Sequence, residues 1–426
     1  MSPIGRAVTA EEGSWLGSLL SIGAVLGTPL YVFIANRCSR KVTGYLVAVP
    51  YLATYTLTLI APSISVLYIA RILAGLGTGA TTAFCPMYIT EISQDSIRGT
   101  LGSFYVLVCC VGILSMYIFG AYLSYSANCY ILLATMLVYL LAFYFMPESP
   151  VYLINKADIS GAKNSLKWLR GSDSDIVGHE IRKLTSYREK SGSVRSVSLK
   201  HMLQTRSTRK GLTISLLLVA NLQLSAPLAI FSYTATIFKD AGSDLSPDMC
   251  SIIVGIIQIL AALLATVLLD RAGRRLLLVI SNLILSLSLS VLGVYFYLKM
   301  NGTNVAHITW LPLICISVYI ISLSIGISPV PFVMIPELFM PEARDLAILI
   351  SLTTMWFFSF LVTKLFTNIS GLFGLHGLYW ILATFCFVGF LLSIFVFPET
   401  KNKSIETIVN ELDSKKTKKT PRDVNC

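Results

Sequence analysis

Two acid–base pairs share one spacing: Glu91 and Arg98, and Glu337 and Arg344, stand seven residues apart in each case. A carboxylate and a guanidinium so placed can form paired, charge-assisted hydrogen bonds, which hold helix ends together rather than transform a substrate. Further landmarks recur in the same order. Arg37, Arg40 and Lys41 correspond to Arg271, Arg274 and Arg275, and Pro147-Glu148-Ser149 corresponds to Pro398-Glu399-Thr400. The copies are offset by 246 residues for the acid–base pairs and by 234 and 251 for the other two. Three ordered pairs at nearly one spacing imply an internal duplication.

Few other groups invite chemistry. No nucleophile with a matching base, no metal-ligand spacing and no phosphate-cradling motif stands out, so the sequence argues against an enzyme and implies no cofactor and no metal. The nine cysteines lack CxxC spacing, and several sit in apolar runs where a thiol behaves as a small hydrophobe. What remains are polar side chains inside apolar runs. Gln223 and Gln258 fall near the middle of theirs, and Ser225, Tyr233 and Trp356 could add two hydroxyls and a stacking face.

The elements that carry these groups are set by composition. The chain has 426 residues, of which 55% are hydrophobic and 13% charged, more apolar surface than a soluble core of this size hides. A bilayer core needs about 20 apolar residues per helix. Eleven stretches qualify: Trp15 to Ala35, Gly44 to Ala61, Leu67 to Ile89, Leu101 to Leu123, Tyr130 to Met146, Leu212 to Phe238, Ile252 to Leu269, Leu276 to Leu298, Trp310 to Ile335, Leu346 to Ile369 and Leu378 to Phe397. The expected fold is therefore an all-α polytopic membrane protein.

The net charge of +11 falls in short segments between these runs, so it reports topology and not a nucleic-acid partner. By the positive-inside rule the loops with Arg40, Arg98, Arg271 and Arg344 are cytoplasmic. They share that side with a polar segment, 147–209, in which Gly161 to Leu169 has helical periodicity. The expected division is a membrane half at 1–146, this linker at 147–209, a six-helix half at 210–397 and a cytoplasmic tail at 398–426. Five spans precede the linker and six follow it, and nothing in residues 1–14 carries the terminus across. The sequence thus predicts eleven helices of an expected twelve, the first being absent.

These residues resemble the signatures of the sugar porter family of the major facilitator superfamily. Asp270-Arg271-Ala272-Gly273-Arg274-Arg275 looks like the family's loop motif, and Arg98-Gly99 like the loop between its fourth and fifth helices. Pro147-Glu148-Ser149-Pro150 and Pro398-Glu399-Thr400-Lys401 look like the ends of its sixth and twelfth. Ser103-Phe104-Tyr105, the stretch Ile252 to Arg275 and Phe360 to Phe366 look most like insect facilitated trehalose transporters. The resemblance implies two pseudo-symmetric bundles around a central sugar site, alternating access at the plasma membrane, and a small neutral sugar as substrate. The alternative is a non-transporting relative acting as a sensor or an inactive product.

The family's site residues transfer unevenly. Its Gln-Gln pair and downstream Asn on the seventh helix align with Leu222, Gln223 and Leu228, and the tenth-helix Trp with Phe332. The fifth-helix Gln aligns with Val106 and the eleventh-helix Asn with Met355. Gln223, Gln258, Ser225, Tyr233, Phe332 and Trp356 form the expected substrate set. Glu91, Arg98, Arg40, Asp270, Arg271, Arg274, Glu337 and Arg344 form the expected cytoplasmic gate, latching the halves together. Asn36 and Ser39 replace the motif's Asp and Gly in the first copy, which predicts a weaker latch there.

Three smaller expectations follow. Pro329 and Pro331 break the tenth helix. Lys364, a cation in an apolar run, snorkels to the outer interface, and no Asp or Glu lies at mid-membrane, which favours facilitated diffusion. Asn301-Gly302-Thr303 is a glycosylation sequon in an outer loop, and the tail from Asn402 has no core-forming pattern.

Overall fold

The computed structural model describes residues 6, 8–94, 97–171, 174–191, 202, 204–242 and 245–413. Apolar runs bounded by capping residues become helices, with no strand among the described residues. Helix α1, Ala10–Arg37, opens on a capping box in which Thr9 and Glu12 satisfy each other's backbone N–H groups. Helix α2, Arg40–Ile60, is capped by the Ser39 hydroxyl, which accepts from Val42 N–H at 3.1 Å. Then come α3, Ile64–Ile92, α4, Arg98–Tyr122, and α5, Tyr125–Tyr144. Three shorter helices follow: α6, Pro150–Asn155, α7, Ile159–Arg170, and α8, Ser174–Ser191.

The second set opens with a broken pair, α9, Arg206–Leu224, and α10, Pro227–Ala241, followed by α11, Pro247–Ala272, and α12, Arg274–Met300. Next, α13, Leu311–Ser322, runs through a π-helical turn, Leu323–Ile327, into α14, Pro329–Glu337. The interruption expected at Pro329 and Pro331 thus takes the form of a π turn just ahead of the prolines. Helix α15, Pro341–Phe395, closes the membrane part, and α16, Ile405–Asp413, ends the described chain.

Ten segments among the described residues are long and apolar enough to cross a bilayer, where the sequence reading counted eleven. The difference lies in α15, whose 55 residues take up two of the expected runs. At 1.5 Å per residue it would measure about 80 Å, far beyond a hydrocarbon core of about 30 Å. Gly374, at φ 72° and ψ 169°, puts a non-helical kink inside it. Side chains such as Val108 and Leu141, 65% and 68% exposed, point outward from α4 and α5 and require lipid as their solvent.

Packing divides the helices into two groups. In the first, α1 lies on α3, and α2 lies between α3 and α5. Gly23 of α1 meets Gly75 of α3, while Gly27 lies against Leu76 and Gly79 against Ala24 and Thr28. A Cβ on Gly75 would stand 2.0 Å from the Leu20 carbonyl oxygen, and one on Gly23 2.1 Å from that of Ile72. Only glycine permits such backbone approach, the small-residue device by which helices associate where water supplies no driving force. In the second group, α12 packs on α13 and α15, and α9 on α15. The groups meet along α1 with α15 and α4 with α11.

The tail corrects the sequence reading. Ile408 and Leu412 of α16 are buried against the second group, and Lys210 of α9 donates to the Leu412 carbonyl. Ile405, Ile408 and Leu412 fall on one helical face, a period too short to stand out beside the Lys-rich end of the chain. Residues 414–426 lie outside the described residues.

The glycine seam generates a direct expectation. Gly75→Leu forces α1 from α3 and abolishes a monodisperse peak in detergent, whereas Gly102→Leu, beside open space on α4, leaves the peak and melting temperature unchanged. Fluorescence-detected gel filtration with a thermal ramp reads both.

Candidate functional site

The duplicated charges close into two matching clusters at one end of the molecule. In the first, Arg40 donates from Nε to both carboxylate oxygens of Glu91, at 3.2 and 3.1 Å, and from a terminal nitrogen to one of them at 3.1 Å. The same guanidinium reaches the Ala35 carbonyl at the end of α1. In the second, Arg274 bonds Glu337 at 3.2 Å and the Leu269 carbonyl at 3.4 Å. Arg40 and Arg274, 14% exposed each at the side chain, are mostly withdrawn from water, so these pairs exceed the near-zero worth of an open surface pair.

A second acid completes each cluster. The Glu148 carboxylate accepts from Lys41 N–H at 3.3 and 3.2 Å, and the Glu399 carboxylate accepts from Arg274 and Arg275 N–H at 3.1 Å each. Each carboxylate therefore caps a helix N-terminus, that of α2 and that of α12, where unpaired N–H groups and the helix dipole favour an anion. Gly273, at φ 92°, leaves the room, since a Cβ there would sit 2.9 Å from Glu399 Oε2. Sequence reading noted the repeated Pro-Glu signature but assigned these acids no partner; their recurrence at an offset of 251 was the available signal.

Two expectations about these charges change. The pairs close within each helix group rather than between the groups, because each arginine and its acid sit on neighbouring helix ends of one bundle. Nor is the first copy weaker: Arg40 makes three contacts with Glu91 while Arg274 makes one with Glu337, leaving Glu337 Oε2, Arg274 Nε and Arg344 Nε buried and unpartnered. Ser39 also substitutes for the motif glycine by capping α2 with its own hydroxyl. Arg271 contributes its carbonyl, which accepts from Lys401 at 2.6 Å. The side chains of Arg98 and Asp270 lie outside the described residues.

At the other end the two groups are joined. Ser21 bonds Ser359 at 3.1 Å and Ser14 donates to the Lys364 carbonyl at 3.2 Å, tying α1 to α15. The Lys364 ammonium rests 4.0 Å from the centre of the Trp15 ring, so this cation finds an aromatic face as well as the interface. Tyr117 of α4 donates to the Phe231 carbonyl of α10 at 3.0 Å. These bonds lie toward the end opposite the charges.

The remaining polar candidates lie within the helices. Gln223, 7% exposed, sits on the last turn of α9, one residue short of its end, and no side-chain partner among the described residues reaches its amide. The chain then turns through Ala226, at φ 64° and ψ 41°, and restarts as α10 at Pro227. This break was not read from the sequence, where the run from Leu212 to Phe238 looked continuous; Pro227 was the overlooked signal. Gln258 Oε1, Tyr233 Oη and Trp356 Nε1 are enclosed and unpaired. Tyr233 stacks on Phe366 at 5.3 Å, its hydroxyl directed at Gly17 of α1.

Two candidates are placed less favourably. The Ser225 hydroxyl, 1% exposed, is spent on the Leu222 carbonyl at 2.7 Å, so the structure does not present it to a ligand. Phe332 of α14 is 47% exposed and offers a ring face only. Sequence reading also overlooked Arg71, an exposed cation in α3, five residues inside its apolar run. At about 10 Å from the start of α3 it lies within snorkelling reach of the interface.

The family described as "Sugar (and other) transporter" matches residues 6–412. The facilitated trehalose transporter Tret1-1 of Drosophila sechellia is 34% identical over 411 residues, covering 95% of this chain and 47% of that protein. The Tret1-2 homolog of Drosophila simulans is 34% identical over 409 residues, covering 95% and 83%. The chain thus spans about half the length of some curated relatives and most of others. Among solved structures, the inward-open xylose transporter XylE of E. coli superposes with a TM-score of 0.77 at 21% identity, over 94% of this chain and 89% of that one. XylE bound to 6-bromo-6-deoxy-D-glucose gives 0.73 at 21%, over 97% and 92%. The fold is that of the major facilitator superfamily, and the chain is a multi-pass membrane protein.

Double-mutant cycles test the division of the charges. Arg40→Ala with Glu91→Ala couples by about 0.5 to 3 kcal/mol, while Arg40→Ala with Glu337→Ala adds to within about 0.5 kcal/mol. Chemical denaturation in detergent provides the energies, and strong coupling in the second cycle would join the clusters across the halves.

Proposed function

This chain belongs to the sugar transporter family, and on that premise we propose that it lets a neutral sugar, trehalose or a hexose, cross the plasma membrane down its gradient. The halves at 1–146 and 210–397 rock about a central site, with the 147–209 linker and the tail in the cytoplasm. One observation carries the reading: buried polar atoms of Gln258, Tyr233 and Trp356 have no hydrogen-bond partner among the described residues. Gln258 lies about 17 Å into α11 from Pro247, and Trp356 about 22 Å into α15 from Pro341. A sugar ring offers hydroxyls that donate and accept and a C–H face that stacks, which suits Gln223, Gln258, Tyr233, Trp356 and the exposed Phe332.

The bonds that join the two groups away from the charges give the direction of access. With α1 held to α15 and α4 to α10 away from the charges, the site opens toward the basic, cytoplasmic end. Sugar release to the cytoplasm needs no further movement, and reloading from outside requires the serine seam and the Trp15–Lys364 contact to part. Each rigid bundle keeps its own Arg–Glu cluster through that motion, so the clusters set bundle shape rather than bar the exit. The exposed Asn301 at the end of α12 faces the outer side, where its sequon can receive a glycan.

Radiolabelled uptake into oocytes with surface expression measured tests the reading. Trehalose or glucose flux exceeds background, is unaltered by a protonophore, and falls at least about tenfold in Gln223→Leu, the effect of one unpaired buried sugar hydroxyl. Background flux for both sugars from protein at the surface contradicts it. Paired Ser21→Cys and Ser359→Cys replacements, in a background without native cysteines, are expected to cross-link under mild oxidation and stop flux until reductant is added. Undiminished flux after cross-linking would rule out opening of this seam.

A further inference from the structure

The helix that carries Gln223 breaks two residues after it, and a break strands main-chain groups that a continuous helix pairs. The Ser225 hydroxyl takes the Leu222 carbonyl, and Ala226 N–H takes the Gln223 carbonyl at 2.9 Å. The Ser225 carbonyl instead accepts from the Tyr319 hydroxyl of α13, at 2.9 Å. Both residues are sealed from solvent, Tyr319 at 0% and Ser225 at 1% exposure. Unlike the unpaired hydroxyls of Tyr233 and Tyr379, this one has a defined acceptor in the protein and is unavailable to a ligand.

The local sequence does not favour the break on its own. Ala226 occupies the left-handed region, where a Cβ crowds the following carbonyl, so the conformation is imposed from outside. Tyr319 is the side chain placed to impose it, since a buried carbonyl left unpaired drives rearrangement until it finds a donor. The far end of α10 is fixed as well: Tyr295 donates to the Ala241 carbonyl at 2.9 Å, and Lys299 to that of Asp240 at 2.7 Å. Tyr319 also lies four residues ahead of the π turn Leu323–Ile327, so its one bond ties the interruption of α9–α10 to that of α13–α14.

We propose that Tyr319 is a positioning residue whose hydroxyl sets the break between α9 and α10 and thereby aims the Gln223 amide at the sugar. The inference rests on the transport reading for its consequence, but the tether itself is independent of transport. It assigns a role in selectivity to a side chain that never touches substrate, and it makes the two broken helices move as one.

Two measurements on the full chain decide it. In nanodiscs, Tyr319→Phe speeds hydrogen exchange of the 222–230 amides about tenfold, the scale of one buried hydrogen bond, while 274–300 is unchanged. Ala226→Gly in that background, which removes the Cβ crowding, restores slow exchange. Unchanged exchange at 222–230 overturns the tether, whether or not sugar is carried. In surface-normalised uptake, Tyr319→Phe raises KM with Vmax kept within about twofold, and adds nothing to Gln223→Leu. Additive losses in the double variant overturn positioning through Gln223. If the parent carries no sugar, the transport reading fails while the exchange result still rules on the tether.

Discussion

An arginine at the end of a membrane helix must keep a partner, and in this protein that requirement is met twice with the same parts. Arg40 with Glu91, and Arg274 with Glu337, each draw two helix ends onto a third carbonyl, and Glu148 and Glu399 each neutralise a helix N-terminus. Charges withdrawn from water are costly unless they are paired. The consequence is mechanical: each cluster fixes the relative placement of its own helices, so relative motion is left to the surface between the bundles. That surface is bonded by neutral serines and tyrosines, whose hydroxyls exchange partners at small cost.

The same logic locates function by contrast. Glu148 and Glu399 cap the N-termini of α2 and α12, the α1–α3 contact is closed to backbone distance by glycines, and the buried core of the second group is continuous. In the interior, polar atoms of Gln258, Tyr233 and Trp356 stand unpaired. Hydrogen-bonding capacity left unused in a dry interior is expensive, and a polyhydroxylated ligand is the kind of guest that offsets the cost when it binds.

Much of this was legible in the sequence, because its signals were charge, periodicity and repetition. Alternating apolar runs and basic loops gave the polytopic fold, and the repeated seven-residue acid–base spacing gave the duplication. What sequence could not supply was which neighbour each charge would choose: Arg40 and Arg274 turn to acids on neighbouring helix ends of their own bundles. The break at Ala226 was hidden inside a continuous apolar run, since left-handed backbone at an alanine is dictated by tertiary contacts and not by propensity. The helix at Ile405 was concealed by polar neighbours, although its three apolar residues fall on one face.

On the proposed transport reading, rigid, internally latched bundles move against each other. Double electron–electron resonance on spin-label pairs tests it most directly, with one pair within a bundle, at the basic ends of α2 and α3, and one across the bundles, at the basic ends of α3 and α15. The account requires the distance across the bundles to redistribute on adding sugar while the distance within the bundle keeps a single width. Sugar-dependent change within the bundle, with the cross-bundle distance fixed, would contradict it.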